Sequence, residues 1–329
     1  GSVQPDPAMI PSLRELGEQR GIAIGAVMDW WNLADPKSMS VSKKTFALDE
    51  ITYFGWPSYW IAPGVYNYAY LDPIVDFYIK NGWEVRALHL VYGYSDTLPD
   101  WLKNGNYSRE EYINLLESFV KDNVNHYKGK ITEYSLANEA VNAYGSNNDF
   151  WANVIGWDYV EMVFRWAREA DPNAVLILNA DSDECIRDDN TEANVNRMLS
   201  WVSRMKSDGV PIDGVGLEMH LLLPWNSHIA PSKECMVETM NQYGSLGVNV
   251  YITELDLNTT LLSGNLNEVL TQEGEIYKSV MDACLESQAC KGVATFGVDD
   301  DHNWLTSLEE VYQNIDQEHY LVPLLFDAD

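Results

Sequence analysis

Short apolar segments alternate with amphipathic helical segments along the whole chain, and this alternation restricts the possible fold more than any other feature of the sequence. We expect strands at 22–28, near Ile51, and at 84–92, 131–140, 174–179, 212–220, 248–256 and 292–298. The helical segments are 70–80, 109–126, 157–170, 191–207, 232–243 and 267–286, and a turn-rich segment follows the first strand through Lys43. Because helices connect parallel strands, and no linker or internal repeat interrupts the pattern, residues 1–329 are predicted to form one α/β domain, a single (β/α)₈ TIM barrel.

The net charge of the chain indicates which kinds of partner it is not expected to bind. The chain of 329 residues carries 21 basic and 50 acidic residues, a net charge of −29 at pH 7. Because nucleic acid and anionic lipid would repel such a chain, we expect neither nucleic acid nor a membrane as a partner. No run of about 18 apolar residues is present to form a membrane span. Gly1 and Ser2 resemble a cloning scar, and we expect a monomer.

Four cysteines occur, at positions 185, 235, 284 and 290, and none has the spacing of a metal site. Cys284 and Cys290 lie where a helix is expected to end and the last strand to begin, which is close enough for a short-loop disulfide. Two reduced thiols remain the alternative. A disulfide would imply an oxidising compartment, and we expect a secreted or extracytoplasmic protein.

Two of the expected strands end in carboxylates. The segment 248–256 ends in Glu254 and Asp256, which strand alternation places on one face, and the segment 131–140 ends in Asn138 and Glu139. A buried strand carries acids only where it leaves the core, so these side chains are expected at the barrel mouth. Capping of the next helix explains one such motif equally well. Two glutamates at two strand ends suggest a glycosidase that retains anomeric configuration.

Further chemical side chains follow other strands. The segment 212–220 closes with Glu218 and His220, which alternation places on one face. The last strand is followed by Asp299, Asp300 and Trp304. We interpret the acidic run at 299–302 as part of a loop, and no motif requires a metal or an organic cofactor.

Four motifs in barrel order resemble glycoside hydrolase family 10, the xylanase family. They are Y-S-L-A-N-E-A at 134–140, G-V-G-L-E-M-H-L at 214–221, I-T-E-L-D at 252–256 and T-F-G-V-D-D-D-H-N-W at 295–304. The resemblance extends from about Phe46 to Trp304. Fungal members carry a similar C-x5-C before the last motif.

The resemblance implies a role for each residue of the catalytic group. Glu139 would be the acid/base and Glu254 the nucleophile, with the two carboxyls roughly 5–5.5 Å apart. His220 would hydrogen-bond Glu254, and Asp256 would fix the imidazole from behind. Asn138 would hold the 2-hydroxyl of the sugar. Trp304 would form an aromatic wall on which the sugar stacks.

The sugar-binding motifs depart from those of the family. The segment 52–64 lacks the acid, asparagine and lysine expected after the second strand, Leu88 stands at the position of a sugar-binding histidine, and Phe296 replaces a tryptophan. Asn179-Ala180-Asp181-Ser182 replaces N-D-Y-N. His89, Tyr92 and Phe296 are therefore candidate substrate contacts, and Tyr94 is a further residue that could compensate for the missing histidine.

Glu218 replaces a glutamine of the family. Two carboxylates about 5 Å apart repel by roughly 3 kcal/mol at an effective dielectric near 20. Glu218 is therefore expected either to keep a proton or to find a cation. A solvated side chain with an ordinary pKa is the alternative.

Three functions remain compatible with these patterns. The first is a secreted, retaining endo-β-1,4-xylanase acting on a polysaccharide or oligosaccharide. The second has the same chemistry on another β-glycan or β-glycoside, because the sugar contacts are rebuilt. The third is a barrel that binds glycan without cleaving it, which loss of Glu139 or Glu254 would have favoured.

Overall fold

Eight parallel strands form a closed barrel in the computed structural model, which describes residues 11–28, 33–52, 54–223, 225–315 and 319–326. The strands are β1 (Ala23–Ala26), β2 (Leu48–Ile51), β3 (Glu84–Tyr92), β4 (Glu133–Asn138), β5 (Val175–Ala180), β6 (Gly214–Leu217), β7 (Asn249–Leu257) and β8 (Cys290–Thr295). Each strand pairs with its neighbour in chain order, and β8 pairs with both β7 and β1. The predicted (β/α)₈ fold is confirmed.

Helices surround the barrel. They are Leu13–Arg20, Pro36–Thr45, Tyr68–Lys80, Asp100–Lys103, Arg109–His126, Ala140–Ala143, Phe150–Val154, Tyr159–Ala170, Asp189–Ser207, Lys233–Ser245, Leu266–Glu286 and Glu309–Asn314. Several begin at a side-chain cap, as at Ser108, whose hydroxyl accepts from the backbone N–H of Glu111 while the Glu111 carboxylate accepts from the backbone of Ser108. None of the helices in the described part of the chain is long and apolar enough to cross a membrane.

The segment expected to be turn-rich through Lys43 contains a helix instead, Pro36–Thr45. Its sequence is rich in serine and lysine and shows little periodicity, but Asp35 caps it and Pro36 occupies its first turn. The strand expected at 212–220 also ends earlier, at Leu217. Met219 adopts a left-handed conformation with φ 60°, and His220–Leu221 then pairs separately with Asp256–Leu257 of β7.

An ion cluster lies inside the barrel. Arg86 on β3 is almost completely buried and forms salt bridges with Glu50 on β2 and with Glu133 on β4, the latter at 2.6 Å. Burial raises the pKa of Glu50 to about 8, although the charge of Arg86 opposes this. The cluster therefore links three adjacent strands through ion pairs.

Two disulfides close loops on the outside of the barrel. Cys284 and Cys290 form a disulfide, with their Cα atoms 5.2 Å apart. Of the two alternatives for this pair, a disulfide or two reduced thiols, the structure contains the disulfide. Cys185 and Cys235 are joined with their Cα atoms 5.5 Å apart, a pairing that the sequence did not indicate. The second bridge ties the loop after β5 to the helix Lys233–Ser245.

Candidate active site

A cleft of about 700 Å³ opens at the C-terminal ends of the strands. Glu139, Glu254, Glu218 and His220 line it together. These four side chains come from the ends of β4, β6 and β7, as strand order predicts for a barrel mouth. Asp256 lies behind this wall and is buried.

Glu254 is held on both of its carboxylate oxygens. Asn179, at the end of β5, donates its amide to Glu254 Oε1 at 2.9 Å, and His220 Nε2 lies 3.1 Å from Oε2. Gly216 makes room for this contact, because a Cβ at that position would lie 2.0 Å from Asn179 Oδ1. Both contacts fix the position of the carboxylate in the cleft.

His220 lies between two carboxylates. Its Nδ1 is 2.8 Å from Asp256 Oδ1, and Trp304 Nε1 donates to Asp256 Oδ2 at 2.6 Å. Burial lowers the pKa of His220, but the charges of Asp256 and Glu254 outweigh it and raise that pKa well above its usual value. The imidazole is therefore a buried cation that donates to both carboxylates.

Glu139 lies in a different environment from Glu254, one that raises its pKa. It follows β4 in a left-handed conformation, with φ 52°. Tyr92 donates its hydroxyl to Glu139 Oε2 at 2.9 Å, and Asn138 Nδ2 is 3.5 Å from Oε1. Burial, and then the charge of Glu254, raise the pKa of Glu139 to about 7. Glu139 therefore holds a proton at mildly acidic pH.

Glu218 is 2% exposed, so it does not occupy a solvated pocket. Burial, followed by the charges of Glu254 and Glu139, raises the pKa of Glu218 well above its usual value. Asn179 Nδ2 lies 3.1 Å from Glu218 Oε1. The His220 cation lies within 4.8 Å, but burial and the two carboxylate charges outweigh it, so retention of a proton agrees with this environment and pairing with a cation does not.

Glu218, His220 and Glu254 also have the geometry of a small donor set, since one potential ligand atom from each lies within 4.8 Å of the others. However, both imidazole nitrogens and both oxygens of Glu254 already have protein partners. The acidic run after β8 is built into its loop, with Asp299 contacting His302 at 2.6 Å and Asp300 accepting from the Leu324 backbone.

The candidate substrate contacts fall in the same cleft. Asn138, His89, Tyr92, Phe296 and Trp304 all line it. Trp304 packs edge-on against His220, with ring centroids 5.0 Å apart, and Phe296 packs on the same imidazole at 5.1 Å.

At the position of the missing histidine, Leu88 is completely buried, and the neighbouring His89 reaches the cleft in its place. His89 packs against Tyr92, and burial lowers the pKa of His89 to about 4, so it is neutral. The segment 52–64 lies in part outside the described residues, which omit Tyr53.

Sequence reasoning missed several lining residues. Asn179 was noted only as part of a changed motif, although its position at the end of β5 was a usable signal. Asp181 follows it and is fixed by Asn142, which bonds its backbone at 2.7 and 3.0 Å. Trp225 comes from a loop that no strand pattern marks, and Tyr94 was named only as a possible substitute for the missing histidine.

Comparison with known proteins adds the family context. The sequence model described as glycosyl hydrolase family 10 matches residues 12–329. Endo-1,4-beta-xylanase B of Thermotoga neapolitana is 31% identical over 305 residues, which cover 91% of this chain and 84% of that protein. Xylanase 10B from Thermotoga petrophila RKU-1, solved in complex with xylobiose, has a TM-score of 0.82 and 30% identity and covers 99% of this chain and 94% of its own. Exoglucanase XynX of Acetivibrio thermocellus is 31% identical over 80% of this chain and 23% of its own length.

Proposed function

The chain belongs to glycosyl hydrolase family 10 and is a retaining hydrolase of β-1,4-linked glycans, and we propose that its substrate is the xylan main chain. The relatives named as xylanases support the substrate, and the observation that carries the reaction is the contrast between two glutamates in one cleft. Glu139 has a pKa of about 7, whereas Glu254 is held by a cationic imidazole and an amide donor. Such opposed environments assign the acid and the nucleophile.

In the first step, Glu254 attacks the anomeric carbon, and the bond from that carbon to the bridging oxygen breaks. Glu139 gives its proton to this oxygen, so the leaving sugar departs as a neutral alcohol. The product is a glycosyl ester on Glu254. Because Asn179 and His220 hold the two oxygens of Glu254, the nucleophile needs little reorganisation before it attacks.

In the second step, Glu139 acts as a base. Formation of the ester removes the charge of Glu254, which is one of the causes that raise the pKa of Glu139. The pKa of Glu139 therefore falls once the intermediate has formed. The ionised Glu139 takes a proton from water, and the resulting attack on the anomeric carbon releases Glu254 with the original configuration restored.

A second substrate, another β-linked glycan such as a glucan, has one specific observation in its favour. The position of the expected sugar-binding histidine is a buried leucine, Leu88, and a relative that shares this barrel is named an exoglucanase. Product analysis on β-xylan, mixed-linkage glucan and mannan separates the two candidates. Cleavage of xylan to short oligosaccharides with little activity on glucan supports the first.

We further propose that the protein works as a monomer outside the cytoplasm. The two disulfides, at 185–235 and 284–290, support an oxidising compartment. Light scattering of the purified chain tests the oligomeric state, and a thiol count on protein from its native source tests the compartment.

The experiment for the reaction is Glu254→Ala. Without a nucleophile no glycosyl ester forms, so we expect kcat on an aryl β-xylobioside to fall by about 10⁴-fold or more. Azide should restore turnover and give the α-glycosyl azide, since it attacks the face that Glu254 occupied. Glu275→Ala, a change at an exposed helical position, is the matched control. Wild-type turnover by Glu254→Ala without azide would refute the assignment.

A further inference from the structure

We propose that the cleft disfavours glycans whose branches carry a carboxylate, so that the enzyme prefers neutral chains to chains branched with a uronic acid, and that Asp181 contributes to this preference. The inference rests on the proposed function and adds to it the charge of the substrate. Four carboxyl groups line the cleft, those of Glu139, Asp181, Glu218 and Glu254. In the part of the chain that the structure describes, no lysine or arginine lines it.

Asp181 lines the cleft without an ion-pair partner among the described residues. It directly follows β5, and its Oδ2 accepts from the Ser182 hydroxyl at 2.9 Å. Its Oδ1 is buried and has no hydrogen-bond partner within the described ranges. Burial raises the pKa of Asp181, and the charge of His220 opposes this. Burial also raises the pKa values of Glu139 and Glu218, and the charge of Asp181 adds to that effect, so Asp181 acts electrostatically on the catalytic carboxyl groups.

The two histidines of the cleft do not supply a spare positive charge. His220 lies 3.1 Å from Glu254 and 2.8 Å from Asp256, so two carboxylates already share its charge. His89 is neutral, because burial lowers its pKa to about 4. Neither imidazole therefore offers an unpaired cation to a carboxylate of the substrate.

The helix Asp189–Ser207 borders the cleft with neutral side chains, those of Asn190 and Asn194. Arg197, one turn after Asn194, donates to the Val141 carbonyl at 2.7 Å and to Asn194 Oδ1 at 3.4 Å, and it does not line the cleft. This side of the cleft can therefore form hydrogen bonds but cannot neutralise an anion.

Two of the four carboxyl groups occupy positions that are neutral in the family. Glu218 replaces a glutamine, and Asp181 takes the position of the tyrosine in N-D-Y-N, whose aspartate becomes the buried Ala180. The segment 52–64 lacks both the acid and the lysine of the family motif. We therefore expect the preference as a property of this chain, set by its own substitutions.

A uronate branch that enters this cleft gives up part of its hydration and meets no positive side chain in return. Repulsion from the carboxylates adds to this cost, and the net charge of −29 acts in the same direction at longer range. A neutral branch of the same size carries neither cost. Because dissolved ions screen charges in an open cleft, ionic strength separates an effect of charge from an effect of shape.

The test compares two substrates that differ by one charge. The first is a xylo-oligosaccharide with a glucuronic acid branch, and the second is the same molecule after its carboxyl group has been reduced to a primary alcohol. At an ionic strength of about 10 mM, kcat/KM should be about tenfold lower for the acidic substrate, and at about 0.5 M the difference should shrink to about threefold. Equal values at low ionic strength overturn the proposal, and so does a difference that salt leaves unchanged.

Two variants test the source of the preference through the ratio of kcat/KM for the acidic substrate to that for the neutral one. Asp181→Asn removes a charge and keeps the size of the side chain, so the ratio should rise about threefold at low ionic strength. Asn190→Lys adds a cation at an exposed position of the cleft wall and should raise the ratio by a similar factor. Asn267→Lys is the matched control, because Asn267 is also exposed and also second in its helix, Leu266–Glu286, but does not line the cleft. An unchanged ratio in Asp181→Asn overturns the role of Asp181, and an unchanged ratio in both variants overturns the preference.

Failure of the xylan proposal gives a different result, because the wild-type protein would then leave unbranched xylohexaose intact. The pair of substrates is in that case a cello-oligosaccharide and its derivative with one C6 hydroxymethyl group oxidised to a carboxylate. A salt-sensitive loss of kcat/KM on the oxidised form supports the charge preference, and equal values overturn it.

Discussion

Glu218→Gln tests whether Glu218 carries a proton in the working enzyme. Potential ligand atoms of Glu218 and Glu254 lie within 4.8 Å of each other. Two unit charges at that separation repel by about 3.5 kcal/mol at an effective dielectric near 20, and the His220 cation within the same distance offsets part of this repulsion. Burial adds to this and raises the pKa of Glu218 well above its usual value. We therefore expect a neutral Glu218 next to an ionised Glu254.

The sign of the effect follows from these shifts. A carboxyl with a raised pKa is protonated at low pH and loses its proton as the pH rises, so Glu218 acts on the alkaline limb of the activity profile. Glu139, with a pKa of about 7, must also be protonated for the first step. When two groups each lose a proton on the alkaline limb, the slope of log kcat/KM against pH approaches −2. When only one group does so, the slope approaches −1.

Glutamine keeps its amide hydrogens at every pH. The alkaline limb of Glu218→Gln should therefore approach a slope of −1, and one pH unit above the pH at which Glu218 of the wild type loses its proton, the variant should retain about tenfold more of its maximal kcat/KM than wild type. The acid limb should not move, because a neutral Glu218 and a glutamine present the same charge to Glu254.

The assay is kcat/KM on one aryl β-xylobioside from pH 4 to 10, which reports ionisations of the free enzyme. Glu238→Gln, on an exposed position of the helix Lys233–Ser245, is the matched control and should reproduce the wild-type profile. The comparison concerns the shape of each curve, so a uniform loss of activity does not affect it. Superimposable alkaline limbs in wild type and Glu218→Gln would refute the reasoning.

Three other outcomes are expected. Glu139→Ala should lower kcat/KM on xylan by about 10²–10⁴-fold but much less on a dinitrophenyl glycoside, whose leaving group needs no proton; equal losses on both substrates would contradict its role as acid. Removing the Cys185–Cys235 disulfide by a double serine substitution should lower the free energy of unfolding by about 4 kcal/mol, and removing Cys284–Cys290 should lower it by about 2 kcal/mol. The difference is expected because the two loops span 50 and 6 positions. A denaturant titration that ranks the two variants in reverse would contradict this entropic account. Arg86→Met should cost about 3–5 kcal/mol in the same titration, since it leaves the buried carboxyl of Glu50 and the partly buried carboxyl of Glu133 unpaired, whereas Lys130→Met at an exposed ion pair should cost less than about 1 kcal/mol. Similar losses in both variants would show that burial of the cluster does not matter.

The barrel and the two glutamates could be predicted because the sequence expresses them locally. β3 and the helix Arg109–His126 have the expected bounds, since each has a clear period and a clear end. Glu139 and Glu254 interrupt apolar runs, and such an interruption is visible without any knowledge of the partner strand.

Other features depend on contacts that no local pattern encodes. Cys185 and Cys235 lie 50 positions apart on separate elements, so their pairing requires the folded barrel. The strict alternation assumed for Glu218 and His220 fails at Met219, whose left-handed backbone nevertheless leaves both side chains in the cleft. Trp225 belongs to a loop, and only the closed ring of strands brings it beside Trp304.

Asn179 has fewer hydrogens than it has acceptors. Its amide nitrogen lies 2.7 Å from Asn138 Oδ1, 2.9 Å from Glu254 Oε1 and 3.1 Å from Glu218 Oε1, yet it carries only two N–H groups. Its carbonyl oxygen accepts from the Thr253 hydroxyl and its nitrogen faces three oxygens, which together fix the orientation of the amide. The three oxygens must therefore share two hydrogens. When Glu254 becomes an ester and accepts more weakly, the share of Asn138 and Glu218 grows, so this one amide would couple the candidate sugar contact, Asn138, to the state of the proposed nucleophile.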